Sequence, residues 1–195
     1  MKKLIRVTLL AFVAIPLANT SQNLSAKPPE PQFPELLALE KENQDLDKRG
    51  EYRYVYRMFF KLYDAALYAP NKATKQDILN AKTSFSLQFR YLREIDKSII
   101  LESSAKMLER NLNNAKRDRI QERVNRINAA YRSVKKGDSS SLTYVPGKGT
   151  TLRINQKPVV TITGQDFALD YFSIWLGEKP ISEPLRDHLL GLKKH

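Results

Sequence analysis

No cysteine occurs among the 195 residues of this chain. Disulfides, zinc–thiolate sites and cysteine nucleophiles are thereby excluded. Histidine is almost as scarce, with His188 and His195 the only two. That argues against a multi-histidine metal centre and leaves no Ser–His–acid set to assemble. Acidic residues are in deficit, 21 against 33 lysines and arginines. No pair of carboxylates stands in apolar surroundings, so a glycosidase-type mechanism has no anchor. Long apolar runs and internal repeats are missing too.

The chain has enough hydrophobic residues (42%) to fill a core, and its length favours one domain with short extensions. Its first residues have the pattern of an export signal. Lys2, Lys3 and Arg6 precede a mostly apolar run of 12 residues, Val7 to Ala18, and Leu24-Ser25-Ala26 supplies a small-residue end. A membrane anchor is the other reading of such a run, but roughly 20 residues are needed to span. Cleavage after Ala26 would leave 30 basic and 21 acidic residues, a net charge of +9. The expected location is then periplasmic or secreted. An exported basic protein is more suited to an anionic membrane or envelope surface than to nucleic acid, and no nucleic-acid partner is expected.

Residues 27–49 read as a linker and N-terminal extension. Lys27 to Pro34 holds four prolines. Phe33, Leu36, Leu37, Leu39 and Leu46 suggest a short helix on the domain edge, and Asp47-Lys48-Arg49-Gly50 a turn. Glu51 to Tyr68 is crowded with Tyr, Phe and Val, which suit a pleated surface. It is too long for one ordinary strand, so a hairpin or bend is expected near Met58–Lys61. Thr83 to Leu92 alternates with period two, one face buried and one wetter. Asp96 opens a helix. In a second helix Ile120, Val124, Ile127, Tyr131 and Val134 form one apolar stripe amid Lys116, Arg117, Arg119, Arg123, Arg126 and Arg132. Leu142–Val145, Thr150–Ile154 and Val159–Thr163 read as three short strands. A helix over Asp166–Leu176 stops at Gly177, and Ser182 caps a last one. The order predicts an α+β domain, an antiparallel sheet with helices on one face.

Val145-Pro146-Gly147-Lys148-Gly149-Thr150 has the look of a phosphate loop, yet it lacks the spacing and the following helix, and fits a strand-linking hairpin. Arg and Tyr residues of the first long strands offer a better site. In an unbroken strand Arg53, Arg57, Phe59, Tyr63 and Leu67 would share one face. Arg90, Tyr91 and Arg93 end the next strand. Guanidinium groups beside aromatic surface suit a ligand with an apolar body and a carboxylate or phenolate head. The same residues also fit ordinary sheet core with surface arginines.

Several stretches resemble one family. They are Gly50-Glu51-Tyr52-Arg53-Tyr54 with Phe59 to Pro70, then Phe89-Arg90-Tyr91-Leu92-Arg93-Glu94-Ile95 with Ser103 and Met107. Further along come Gly137-Asp138, Tyr144 to Thr150, Phe172-Ser173-Ile174-Trp175-Leu176-Gly177 and Leu185 to Gly191. In order and spacing they look like the exported bacterial branch of the chalcone isomerase-like proteins, over residues 50–191, with 192–195 as a tail. The resemblance implies an open-faced β-sandwich whose ligand cleft lies between sheet and helical layer. It also implies either a cofactor-free intramolecular lyase acting on a phenolic substrate or a non-catalytic fatty-acid binder. Tyr63 falls where the enzyme's strand carries its Thr, and Arg53 is the nearest match to its Arg. The Tyr and Asn of the enzyme's following helix have no counterpart near Lys97–Ala105, which favours the binder. No catalytic residue or cofactor is then expected. A small amphiphile would contact Arg53, Tyr63, Arg90 and Tyr91, in an apolar hollow beneath the helices with a guanidinium at its mouth.

Overall fold

A computed structural model describes residues 33–192. The expected signal segment 1–26, the start of the expected linker and His195 lie outside the described residues. Seven strands follow one another in chain order and pair antiparallel with their sequence neighbours. They are β1 (Leu36–Leu39), β2 (Gln44–Tyr56), β3 (Phe60–Ala69), β4 (Phe85–Tyr91), β5 (Ser139–Val145), β6 (Gly149–Ile154) and β7 (Lys157–Ile162). The short α1 (Lys75–Leu79) links β3 to β4. The helices α2 (Lys97–Asn111) and α3 (Asn114–Ala130) link β4 to β5. Two more, α4 (Gln165–Leu176) and α5 (Glu183–Leu189), follow β7. The expected class, an antiparallel sheet with helices on one face, is what the chain forms.

Period two along the strands divides the sheet into two faces. Tyr63, Ala65, Leu67 and Ala69 on β3, with Phe85, Leu87, Phe89 and Tyr91 on β4, face the helices and join the main core. α4 closes it, with Phe167, Ala168, Tyr171, Phe172, Ile174 and Leu176 all buried. From α3 come Ile120 and Ile127, two residues of the predicted stripe. On the outer face Leu39, Leu46, Ala66 and Tyr68 form a separate small cluster with Phe33, Leu37 and Val145 against it.

That second cluster exists because the sheet curls. Glu42, in the turn before β2, meets Lys148, in the turn after β5, at 3.1 Å. In a flat sheet β1 and β5 would lie about 19 Å apart, four strand spacings, so twist must bring the β1 hairpin back over the outer face.

Residues 36–49 are not an edge helix and a turn but β1, a single 3₁₀ turn and the first half of β2. Leu39 and Leu46 are buried by pairing on the sheet rather than by helical period. Asn43 takes the left-handed conformation that closes the turn (φ 47°). Gly50 lies within β2, beside a register shift at Lys48. A β-carbon there would collide with the carbonyl of His188, so this glycine serves the close approach of α5.

The hairpin expected near Met58–Lys61 is present one residue earlier. Arg57 (φ 46°) and Met58 (φ 62°) form its tip, and Phe59 N–H bonds back to the Tyr56 carbonyl at 3.3 Å.

Candidate functional site

The turn at Arg57–Met58 breaks the strand that was to align Arg53 with Tyr63. In the observed register Arg53 stands opposite Asp64, and Tyr54 opposite Tyr63. Partners in register share a face, so Arg53 and Tyr63 lie on opposite sides of the sheet. The same division separates Arg90 from Tyr91. Of the four expected ligand residues, Tyr63 and Tyr91 point under the helices, whereas Arg53 and Arg90 are on the outer face.

Under the helices the expected hollow is packed with the protein's own rings. Tyr63 meets Tyr54 and Phe89 with centroids at 5.1 and 5.3 Å. Phe89 in turn meets Trp175 at 5.3 Å, and Phe167 stacks on Tyr171 at 5.1 Å. A cavity of about 60 Å³ beside Phe85 and Phe172 is too small for an amphiphile. The Tyr91 hydroxyl bonds to Ser140 Oγ at 2.9 Å. The buried hydroxyls of Tyr63 and Tyr171 make no hydrogen bond among the described residues. Burial pushes the Tyr63 phenol well above its ordinary pKa, so it is a neutral donor at physiological pH.

Arg53 is engaged elsewhere. Its Nε donates to Asp64 Oδ1 at 2.7 Å and an Nη donates to Oδ2 at 3.0 Å. Asp64 is 2% exposed. This bidentate pair is a structural bridge between β2 and β3.

A larger space than the cavity beside Phe85 and Phe172 lies on the outer face. A groove of about 590 Å³ runs between the β1 segment and the strands β4 to β6. Phe33, Leu37, Leu39 and Val145 supply apolar wall, and Gln88, Arg90, Ser141, Thr143, Thr151 and Arg153 the floor. The register orders the floor. Arg90 faces Ser139 at one end, Gln88 faces Ser141 in the middle, and Ser86 faces Thr143 toward the other end. From Arg90 to the Phe85 end the floor runs about 17 Å. Ser86 and Thr143 share a hydrogen bond of 2.7 Å, and Gln88 Nε2 donates to Ser86 Oγ at 2.7 Å. Ser86 is fully buried, and Ser141 and Thr143 nearly so. Hydroxyls at such depth on a sheet face mark a surface shielded by the curled hairpin rather than an ordinary solvated face. The Arg90 guanidinium stacks over the Phe33 ring at 5.1 Å. The floor strands contribute no histidine or carboxylate to the lining, while Glu40, Lys41 and Glu42 line the groove from the β1 side.

Sequence reasoning missed Gln88, Ser141, Thr143 and Arg153. The polar alternation of Ser86, Gln88 and Arg90 was visible, but nothing local says that β1 folds over it.

The basic face of α3 is also altered by its neighbours. Arg123 Nη2 binds Asp166 Oδ2 at 2.6 Å, and Arg119 Nη2 binds Asp170 Oδ2 at 2.8 Å. The Arg123 hydrogen bond holds the Asp166 carboxyl down at about 2. A carboxylate lowered on folding stabilises the protein above its unfolded value and loses that contribution as pH falls through the folded one. With both side chains partly solvated, the pair is worth about 1 kcal/mol. Denaturant titrations of wild type and Asp166→Asn should therefore differ by that amount at pH 5 and converge by about pH 2.

The description "chalcone isomerase-like" belongs to a family model that matches residues 31–191. No curated protein matches the chain in sequence. Among solved structures, the crystal structure of AtFAP1, a fatty-acid binding protein of Arabidopsis thaliana, superposes with a TM-score of 0.58 at 12% identity. The superposition covers 81% of this chain and 97% of AtFAP1. At that identity the likeness establishes the fold.

Proposed function

This chain belongs to the chalcone isomerase-like family, and on that premise we propose that it is an exported, non-catalytic carrier of a fatty acid or similar amphiphile. The observation that carries the reading is the outer groove, where a guanidinium at one end adjoins an apolar wall of Phe33, Leu37, Leu39 and Val145, with Glu40, Lys41 and Glu42 also on the β1 side. Arg90 takes the carboxylate head, with Gln88 and Ser141 beside it. The tail runs along Leu37, Leu39 and Val145. The groove's volume falls in the usual range for small-molecule sites, about 300–1,000 Å³. A relative in fold, AtFAP1, is described as a fatty-acid binding protein. Export rests on the basic start, apolar run and small-residue end of residues 2–26.

Delipidated protein titrated with a fluorescent fatty acid should saturate. Arg90→Ala should raise Kd about tenfold, the loss of one charge-assisted hydrogen bond. No saturable binding, or an unchanged Kd in Arg90→Ala, would overturn the groove assignment. For export, the intact mass of protein recovered from the envelope fraction should correspond to a start at Lys27. A cytoplasmic protein retaining Met1 would refute it.

A second reading is favoured by the unpartnered phenols of Tyr63 and Tyr171. In it the ligand enters between sheet and helices and its head accepts from those hydroxyls. Tyr63→Phe would then weaken binding, and Arg90→Ala would leave it intact.

A further inference from the structure

The tip of the β2–β3 hairpin projects beyond the sheet. β4 ends its pairing at Tyr91, opposite Tyr63, while β2 and β3 continue together to Tyr56 and Phe60. Leu92 N–H still bonds to the Leu62 carbonyl at 2.9 Å, and the tip at Met58 lies four residues, roughly 13 Å of strand, beyond Leu62. Its side chains are the wrong ones for a solvated turn. Met58 is 83% exposed and Phe59 80%, with Tyr56 and Phe60 each 45% exposed. No other stretch of the described chain exposes so many large apolar residues together.

The turn itself shows what this composition requires. The loop between Tyr56 and Phe60 has three residues, Arg57 to Phe59, and successive positive φ angles in a hairpin turn are ordinarily taken by Asn-Gly or Asp-Gly. The β6–β7 hairpin conforms in part, with Asn155 leading Gln156. At the β2–β3 tip Arg57 and Met58 occupy the two left-handed positions, a conformation that costs side-chain-bearing residues energy. The strain retains a long apolar side chain and a cation at the most projecting point.

Cations surround the apolar residues. Arg57 lies over the Tyr56 ring at 5.3 Å and Arg93 over the Phe60 ring at 5.1 Å. Lys61 follows on β3 and is exposed. The acids at this end are Glu94, beside Arg93, and Glu102, which is bonded to Lys106 at 2.8 Å. The tip thus carries a net positive charge around an apolar and aromatic point. Basic residues attract an anionic lipid surface, and apolar and aromatic side chains sink into the headgroup–acyl boundary.

We propose that the β2–β3 hairpin tip, residues 56–61 with Arg93, is a membrane-docking element that inserts Met58 and Phe59 into an anionic bilayer. The basic face of α3 suits a membrane less well, because Arg119 and Arg123 there are paired with Asp170 and Asp166. The proposal is independent of what the groove holds.

The test is co-sedimentation with vesicles of phosphatidylglycerol and phosphatidylcholine, against phosphatidylcholine alone, with the same N terminus in every variant. Wild type should bind the anionic vesicles, less so at higher salt. The double variant Met58→Ser/Phe59→Ser should lower the partition coefficient at least tenfold with no loss of thermal stability. Arg57→Ala/Lys61→Ala should lower it several-fold and flatten its salt dependence. Solution fatty-acid titrations of the Met58→Ser/Phe59→Ser protein should match wild type, which separates this proposal from the groove assignment. Absence of vesicle binding would overturn it, as would binding that survives the Ser substitutions but is lost in Lys116→Ala/Arg117→Ala. A concentration-dependent dimer abolished by the Ser substitutions, without vesicle binding, would assign the tip to a second copy of the chain and equally overturn it.

Discussion

Replacing Arg53 by alanine is expected to lower the unfolding free energy by about 3 kcal/mol, the lower end of the range for breaking a buried ion pair. The cost arises at its partner. Asp64 has a side chain only 3% exposed, and without the fork from Arg53 its carboxylate loses the bonds at 2.7 and 3.0 Å. Taking a charge out of water is tolerable only when a partner replaces the lost solvation. Two features temper the loss. The Arg53 side chain is one-fifth exposed, so water can enter once it is gone. Arg90 stands across from Asp64 on β4 and retains some favourable field. Guanidinium denaturation read by circular dichroism measures the effect. The double variant Arg53→Met/Asp64→Leu should recover most of it, because two apolar side chains of similar size leave no orphaned charge. If Arg53→Ala were as stable as wild type and only ligand affinity fell, the structural role would be wrong and the residue would be a ligand contact after all.

Phe167→Ala should cost about 3–5 kcal/mol, the usual range for emptying a buried aromatic site. Phe167 is fully buried at the start of α4. Its ring stacks on Tyr171 one turn later, with planes 16° apart, and carries the Arg123 guanidinium at 5.8 Å from its centroid. Removal therefore opens a cavity, unstacks Tyr171 and loosens the α3–α4 contact that Arg123 and Asp166 hold. For a domain of this size the melting temperature should fall by roughly 10 °C. Phe167→Leu, which keeps most of the volume, should cost much less. Equal losses in the two variants would mean that the ring stack, and not the filled space, carries the stability.

How legible the molecule is from its sequence depends on the distance over which each feature is encoded. The alternation of β4 and the Ser182 cap of α5 are each written within a dozen residues, and each element forms where its pattern lies; the apolar stripe of α3 overruns its helix, which ends at Ala130 and leaves Tyr131 and Val134 outside, Val134 in a bridge to Ile95. The extension 36–49 is different. Leu39 and Leu46 have no period of their own, because what buries them is Ala66 and Tyr68 some 20 or more positions away. The candidate site is split in the same manner. Arg90 and the polar alternation around it could be read locally, whereas its wall of Phe33, Leu37 and Leu39 could not. The supposed pairing of Arg53 with Tyr63 failed on parity. A three-residue turn, Arg57 to Phe59, and a register shift at Tyr54/Val55 determine which side chains share a face, and a slip of one residue reverses every one of them.

By itself the sequence determined an antiparallel sheet with a helical layer on one side, since hydrophobic period and capping act over a single turn or strand. Only the tertiary structure decided which face each arginine occupies, that rings fill the space under the helices, and that β1 closes over the outer face. Those outcomes rest on contacts such as Glu42 to Lys148, 106 residues apart, and no local pattern encodes a meeting made by the curl of a whole sheet.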